Sequence, residues 1–508
     1  MWEKLFWTAV AVAVFSSQSY YILARFLRLL CHTYFRKIRV YGINNLPREG
    51  PVILCPNHPN MMIDVLLVVT ECVKHGRNPF AWAKGSLFAN PAVGALLRAL
   101  GAVPVYRPKK VTDGVQDVDT DMSKEEIEAA NKRMFEHSWK VLAAGNLMIL
   151  FPEGTSYTAP KMLKLRTGVM RVAAGFVKGY DRPIPIIPVG LTYFNKDRFR
   201  SQVLLEFGTP LTLRPQDITS EAFLKDEFAE VKRLTTMLED KMHDVTLNAS
   251  DFSTIEVARM MRRLYLNTAA SIDANKEVRL TQQIINMLEG EHPDDDTKTK
   301  IDKVRENVLR YREDLNRLRL KDQDIIAQIQ TNSLMQMFLE RMLYLLVLLP
   351  LATPGLALNF PFYFLAQKLN KAAGFTESKS MFKIFAAGVL VPIQWLFLIL
   401  VAWWLLGSSY AYGLAVSLPL LLYSHIRVLE ESRSIFENVN FLFNIAAHSD
   451  QVAKLRQERA PLVLEVQELV SSHVDGQIIA SVKKEMEHSP KRRPLIKRVP
   501  STSDTLLS

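Results

Sequence analysis

Short apolar runs alternate with longer stretches of helical periodicity between residues 36 and 215. Several of the runs are apolar at every position, as expected of strands that are covered on both faces of a sheet. The pattern therefore predicts an α/β domain with a mixed sheet flanked by helices. The predicted strands are 38–41, 52–55, 102–106, 147–151, 184–191 and 203–207, and the predicted helices are 65–75, 86–100, 124–144 and 164–178.

A polar stretch, 108–124, interrupts this alternation. Its composition predicts a mobile loop, either a solvated insertion or a lid over a site, and the solvated insertion is favoured.

Residues 216–335 are rich in charge and helical in character. Within 301–326, apolar residues recur at steps of three and four, which predicts an antiparallel helical pair or a short coiled coil. These positions are Ile301, Val304, Val308, Tyr311, Leu315 and Leu318. Residues 428–487 again have the pattern of a soluble helical region, and 488–508 form a basic tail with the composition of a disordered segment.

Two regions have the apolar character of membrane segments. Residues 5–24 carry no charge and are long enough to span a bilayer or to lie in its interface, so 1–35 is predicted to associate with the membrane. The second region, 336–427, contains runs at 342–367, 385–406 and 410–423. Prolines in the first run favour a kinked or re-entrant segment, and the other two runs are predicted to form a hairpin joined at 407–409.

The net charge of +11 indicates an anionic partner. Nucleic acid ranks last, because no nucleic-acid module is recognisable and membrane lipids give the basic residues a better explanation. Three cysteines, Cys31, Cys55 and Cys72, provide neither a disulfide framework nor a metal-binding spacing. We therefore expect no metal.

The segment PVILCPNHPNMMID, residues 51–64, is the first candidate for chemistry. A buried strand leads to Asn57 and His58, and Pro59 suits the first turn of the helix that follows. His58 then lies just outside the helix and can fold back onto Asp64. A histidine whose second ring nitrogen is bonded to a carboxylate is suited to act as a general base. Alone the pair is weak evidence, since such spacings also occur by chance.

Three further segments carry candidate binding groups. FPEGTS, 151–156, follows a buried strand, and Gly154 allows a ligand to approach the backbone closely. GAVPVYR, 101–107, is a strand ending in Arg107, which has the geometry to hold a phosphate with two hydrogen bonds. The strand at 186–194 contains Pro188, a packing or pocket-wall residue. Basic residues downstream of FPEGTS can reach an anion or form a solvated helix face; they are Lys161, Lys164, Arg166 and Arg171.

Taken together and in this order, the four segments resemble the motifs of the glycerolipid acyltransferase family. The resemblance covers residues 36–215 well and the remainder only in layout. It is closest to the fungal type of glycerol-3-phosphate/dihydroxyacetone-phosphate acyltransferase, because five residues separate His58 from Asp64 where most of the family has four. The stretch 188–211 and the C-terminal membrane segments are also similar to that branch.

The resemblance implies that His58 deprotonates the acceptor hydroxyl and that Asp64 orients His58. It implies a glycerol-phosphate site formed by Arg107, Glu153, Gly154 and Thr155, with Pro188 in the fourth motif. Arg166 stands where a lysine is expected, and we include it with Asn57 among the substrate-binding residues. Acyl-CoA is the co-substrate, and no cofactor is implied.

The implied reaction is acylation of the sn-1 hydroxyl of glycerol-3-phosphate or dihydroxyacetone phosphate. A lysophosphatidate acyltransferase is the alternative within the same class, and a non-catalytic lipid-binding membrane scaffold is the alternative from another class. A transporter fits poorly, because the spanning segments are few. We expect an integral protein of the endoplasmic reticulum with its catalytic domain facing the cytosol, and leave open whether it forms homo-oligomers.

Overall fold

The structure is a computed structural model that describes residues 17–106, 110–112, 115–117, 123–196, 198–267, 272–292, 294–326, 331–372, 381, 383–384 and 386–488. These residues form two compact units that divide at Thr246 and Leu247, and Met381 and Ile384 belong to the first unit. Most of the apolar segment 5–24 lies outside the described residues.

The first unit is built on one large sheet and one small hairpin. The strands are β1 Lys37–Tyr41, β2 Val52–Pro56, β3 Pro79–Lys84, β4 Ala102–Val105, β5 Lys110–Thr112, β6 Val115–Asp117, β7 Leu147–Ile149, β8 Ile184–Tyr193, β9 Gln202–Phe207 and β10 Leu211–Leu213. The large sheet has the order β1-β9-β8-β2-β7-β3-β4, with β10 on β8. Its pairings are parallel except for β8 with β9 and β8 with β10. The predicted mixed sheet is confirmed.

Helices cover both faces of this sheet. They are α1 Ser17–Tyr34, α2 Met62–Lys74, α3 Pro91–Ala99, α4 Lys124–Ala143, α5 Gly168–Tyr180, α6 Pro215–Ile218, α7 Glu221–Lys225 and α8 Glu227–His243. Alternate residues of β2 enter different cores: Ile53 packs with residues of α4, α5 and α8, whereas Leu54 packs with residues of α1 and α2. This double burial explains the unbroken apolar sequence of the strand.

Three details differ from the sequence pattern. The strand β3 and the short strand β10 were not predicted, and the stretch predicted as a loop at 108–124 contains the antiparallel hairpin β5–β6. Residues 216–246, which the sequence groups with the charged helices, belong to the first unit, because the apolar face of α8 packs in the same core as α5. Apart from this assignment of residues 216–246, the domain limits given by the sequence remain predictions.

The second unit is helical. Its helices are α9 Phe252–Leu266, α10 Ala274–Glu289, α11 Asp295–Arg317, α12 Asp322–Ile326, α13 Thr331–Ala372, α14 Val391–Leu406, α15 Ser408–Ala447, α16 Ser449–His473 and α17 Gly476–His488, and a π-helical turn occupies Ala386–Leu390. Every apolar position of the predicted stripe in 301–326 is buried. Its partners, however, come from both sides of the apolar region: α9 to α12 share one core with α16 and α17.

Three helical segments among the described residues are long and apolar enough to cross a membrane: Met342–Phe362, Gly388–Leu406 and Ser408–Ala447. The predicted break between the second and third lies at Gly407, whose φ is 94°. The run predicted at 410–423 is the beginning of a helix of 40 residues. Pro350, Pro354 and Pro361 lie inside α13, and the predicted kink or re-entry there stays a prediction.

Candidate active site

Parallel strands bring the candidate residues to one edge of the sheet. Leu54 of β2 pairs with Ile149 of β7 on one side and with Ile187 of β8 on the other. Since the three strands are parallel, the segments that follow their carboxyl ends converge at the same edge, where ligands bind in open α/β sheets. Residues 57–61, 150–158 and the end of β8 therefore meet there.

The turn after β2 is fixed to β8 by Asn57. Its Nδ2 donates to the carbonyl of Leu191 at 3.1 Å, and the N–H of Leu191 donates to its Oδ1 at 2.7 Å. The turn then passes through Met61, a non-glycine residue with a φ of 46°, before α2 begins. Because the Asn57 amide is engaged with the backbone in this way, it holds the turn in place. Its predicted contact with substrate stays a prediction.

His58 and Asp64 form a hydrogen-bonded pair. His58 Nδ1 lies 2.9 Å from Asp64 Oδ2, the aspartate is fully buried, and the histidine side chain is 17% exposed. A carboxylate at Nδ1 favours the tautomer with its proton on Nδ1, which leaves Nε2 free to accept a proton. Within the described residues Nε2 makes no hydrogen bond. The predicted fold-back of His58 onto α2 is confirmed in geometry.

Two further groups donate to the Asp64 carboxylate. The N–H of Asn60 donates to Oδ2 at 2.7 Å, and the hydroxyl of Tyr193 donates to Oδ1 at 2.5 Å. The carboxylate thus accepts three hydrogen bonds in a buried position, which compensates for its loss of hydration.

The loop after β7 packs directly against His58. The Phe151 ring stacks on the imidazole, with 4.1 Å between ring centroids and an interplanar angle of 29°. The buried Glu153 accepts the N–H of His58 at Oε1 (2.7 Å) and the N–H of Leu163 at Oε2 (3.2 Å). Burial raises the pKa of Glu153, while these two backbone donors act in the opposite direction. The carboxylate therefore joins the two motif loops through their backbones.

Gly154 lies in the left-handed region with a φ of 76°. A Cβ built there would lie 2.8 Å from Cδ and Nε of Arg166, so the arginine side chain passes closely over the glycine. The N–H of Arg166 donates to the carbonyl of Pro152 at 2.9 Å. Arg166 and Thr155 are both exposed, which leaves a cationic and a hydroxyl group open to solvent beside Gly154.

Two predicted site residues, Pro188 and Arg107, remain to be located. Pro188 lies inside β8, paired with Cys55, and its carbonyl accepts the N–H of Gly208 at 2.8 Å, so it belongs to the wall beneath the edge. Arg107 lies outside the described residues. Among the described residues, no group of three or more His, Cys, Asp or Glu side chains is placed to hold a metal ion.

Two residues of this edge were not predicted for the site. Tyr193 contacts Asp64 directly, and Lys196 donates to the carbonyl of Pro59 at 3.3 Å and to the hydroxyl of Thr158. The sequence feature that could have identified Tyr193 and Lys196 is their position at the carboxyl end of the strand predicted at 184–191. Only the parallel register shows that this end meets the His58 turn.

Comparison with known proteins gives two matching family models. The model described as Acyltransferase matches residues 37–192, and the one described as Glycerol-3-phosphate acyltransferase 2 C-terminal domain matches residues 257–474. The first contains the His58 and Glu153 loops. The second contains α11 and the three apolar helical segments described above.

Three fungal relatives match over long stretches. An uncharacterized acyltransferase of Schizosaccharomyces pombe is 24% identical over 88% of this chain and 79% of its own length. Glycerol-3-phosphate O-acyltransferases 1 and 2 of Saccharomyces cerevisiae are each 26% identical, over 71% and 52% of this chain. The matches span only 56% and 37% of those two proteins.

Among solved structures, the 1-acyl-sn-glycerophosphate acyltransferase of Thermotoga maritima matches 46% of this chain and 93% of its own chain. The sequence identity is 20% and the TM-score 0.27.

Proposed function

We propose a specific acyl transfer for this chain on the premise that it belongs to the acyltransferases that carry a glycerol-3-phosphate acyltransferase 2 C-terminal domain. The proposed reaction moves a fatty acyl group from acyl-CoA to the sn-1 hydroxyl of glycerol-3-phosphate or dihydroxyacetone phosphate. The observation that carries it is the His58–Asp64 pair beside the Glu153–Gly154 loop at one sheet edge.

The proposed chemistry begins with proton removal. His58 Nε2 accepts the proton of the acceptor hydroxyl as its oxygen attacks the thioester carbonyl. The new C–O bond forms, the C–S bond breaks, and the imidazolium returns its proton to the departing CoA thiolate. Asp64, which bonds to Nδ1 at 2.9 Å, stabilises the transient imidazolium.

The phosphate of the acceptor is proposed to bind beside Gly154. The exposed guanidinium of Arg166, which lies directly over Gly154, and the exposed Thr155 with its hydroxyl border that position and can bind a phosphate. Arg107, the other predicted phosphate ligand, lies outside the described residues. Glu153 contributes by holding the loop, since each of its oxygens accepts a backbone N–H.

A membrane location fits this reaction, because the acyl donor and the lysophosphatidate product are amphiphiles. Within the part of the chain that the structure describes, three apolar helices are available to anchor the enzyme. We propose that the membrane is the endoplasmic reticulum and that the catalytic domain faces the cytosol, where acyl-CoA is present.

The decisive experiment is an acyl-transfer assay of the purified full chain. Acyl-CoA is offered with glycerol-3-phosphate, dihydroxyacetone phosphate, lysophosphatidate or glycerol, and the products are identified by mass spectrometry. We expect turnover of the first two acceptors and poor turnover of glycerol, which lacks the phosphate. Lysophosphatidate as the preferred acceptor would establish the alternative acyltransferase activity, and no turnover of any acceptor would favour a non-catalytic scaffold.

The role of His58 is tested in the same assay. His58→Ala should lower kcat by about 10²–10⁴-fold, the usual contribution of a positioned general base. His137→Ala is the matched control, because His137 is exposed on α4 in the same unit. Wild-type turnover by His58→Ala would exclude the proposed base.

A further inference from the structure

The hydroxyl of Tyr193 is one of three donors to the carboxylate of Asp64. It reaches Oδ1 at 2.5 Å, whereas His58 Nδ1 and the N–H of Asn60 both contact Oδ2. Tyr193 is thus the donor on the oxygen that faces away from the histidine. A donor there fixes the rotation of the carboxylate about its Cβ–Cγ bond, since each oxygen then has its own partner.

Tyr193 is itself held firmly. It is the last residue of β8, where it pairs with Val203 of the antiparallel strand β9. Its ring packs against Phe35, the residue after α1, at a centroid distance of 5.9 Å. The phenol therefore approaches Asp64 from a fixed strand end, whereas His58 and Asn60 approach it from the turn before α2.

Tyr193 is also a constant donor. Burial and the neighbouring Asp64 charge raise the pKa of its hydroxyl well above the usual value of about 10. It consequently remains protonated across the whole pH range in which a histidine base titrates.

We propose, on the basis of the proposed function, that Tyr193 is a positioning residue for the acyl transfer. It acts through Asp64: its hydrogen bond holds the carboxylate against His58 Nδ1 and moderates the negative charge that the imidazole experiences. Tyr193 does not contact the reacting atoms in this role.

This role predicts a change in the pH dependence. Without the hydroxyl, the negative charge of Asp64 is less compensated and stabilises the imidazolium more strongly, so the acid limb of the pH profile moves to higher pH. Among the described residues, Tyr193 from β8 and Glu153 from the loop after β7 interact with the pair, Cys31 from α1 interacts with Tyr193, and Lys196 donates to the carbonyl of Pro59 beside His58. Of these groups, only Tyr193 is altered in the Tyr193→Phe variant.

The test is Tyr193→Phe in the full chain, which removes one oxygen and keeps the ring. We expect kcat to fall about tenfold and KM for glycerol-3-phosphate to change less than about twofold. The acid limb of the pH–kcat/KM profile should shift to higher pH by about half a pH unit or more. Tyr180→Phe is the control, because Tyr180 is an exposed residue at the end of α5. An unchanged kcat, or an equal loss at every pH with the limb unmoved, would overturn the proposal.

A second variant covers the case in which Tyr193→Phe does not fold. Tyr193→3-fluorotyrosine keeps the ring and the hydroxyl but makes the hydroxyl a stronger donor, so the acid limb should move to lower pH. Movement in the opposite direction contradicts the proposal. Failure of the proposed function is recognised separately, because the wild-type chain itself would then not acylate glycerol-3-phosphate.

Discussion

Glu153 and His58 are joined through the backbone and not through the imidazole: Glu153 Oε1 accepts the His58 N–H at 2.7 Å. The other oxygen accepts the N–H of Leu163. One buried carboxylate thereby sets the position of the turn that carries the proposed base, and it does so at the cost of desolvating a charge.

We expect Glu153→Gln to lower kcat about 10–100-fold, because a glutamine amide offers only one acceptor oxygen for two backbone donors. Glu125→Gln, an exposed change at the start of α4, is the control. Steady-state kinetics with acyl-CoA and glycerol-3-phosphate measure the effect. Equal activity of the two variants would show that the link is dispensable.

The same variant has a predicted pH signature in stability. Burial raises the pKa of Glu153 in the folded state, so the folded chain binds this proton more tightly than the unfolded chain. The resulting stabilisation is present below the unfolded pKa and is lost as the pH rises through the folded pKa. The melting temperature of the wild type should therefore fall relative to that of Glu153→Gln as the pH rises above about 4.3, the value of an unfolded glutamate. A constant difference between the two melting temperatures would contradict this.

Gly154→Ala should impair acceptor binding. Alanine would have to adopt the left-handed backbone of Gly154, which costs a residue with a Cβ about 1–2 kcal/mol, and its Cβ would displace the side chain of Arg166. We expect a higher KM for glycerol-3-phosphate. Gly76→Ala separates the two effects, because Gly76 has a φ of 86° with nothing near its Cβ position. If both variants raise KM equally, the displacement of Arg166 is not the cause.

The sequence predicted much of this edge, for physical reasons that particular residues show. Strand β2 is apolar throughout because both of its faces are covered. Pro59 after His58 and Gly154 after Glu153 mark turns. Strand β3, Pro79–Lys84, was missed because its six residues begin with proline and include two alanines. Neither residue type favours a strand prediction.

The role of Tyr193 depends on information that no local pattern carries. It is 129 positions from Asp64 in the chain, and the contact exists only because β8 and β2 are parallel neighbours in a fixed register. The common core of α9–α12 and α16–α17 is equally non-local. Their amphipathic faces were visible in sequence, but their partners were not.

That common core contains a buried ion pair. Arg459 of α16 donates to both oxygens of Asp322, at 2.7 and 3.1 Å, and to Asn267 at 2.8 Å. Arg459→Met leaves a buried carboxylate without its cation and should destabilise the helical unit by about 3–5 kcal/mol. Adding Asp322→Asn should restore most of the loss.

The matched control is Arg310→Met, since Arg310 pairs with Glu306 on the exposed surface of α11. Exposed pairs contribute little, so the melting temperature should hardly change. A similar small shift for Arg459→Met would show that the buried pair has no structural role.

The cores also constrain the membrane topology. Residues on both sides of the three apolar helices, such as Val308 and Val466, lie in one buried core. A single core cannot be divided by a bilayer, so Val308 and Val466 lie on the same side of the membrane. The chain between these two residues therefore crosses the membrane an even number of times, and at most two of the three candidate segments cross it completely. Ile384, shortly before α14 in the chain, is 3% exposed in the core of the α/β unit, and from this short separation in sequence we expect α14 to begin on the side of the membrane that holds this core.

We therefore expect α14 and α15 to cross as a hairpin with Gly407 on the opposite side of the membrane. The three native cysteines are buried, so a single introduced cysteine can be labelled selectively. In sealed vesicles that expose the catalytic domain, an impermeant maleimide should label Tyr157→Cys at once, since Tyr157 is 56% exposed near the site. Gly407→Cys should react only after permeabilisation. Immediate labelling of Gly407→Cys in sealed vesicles would exclude the hairpin.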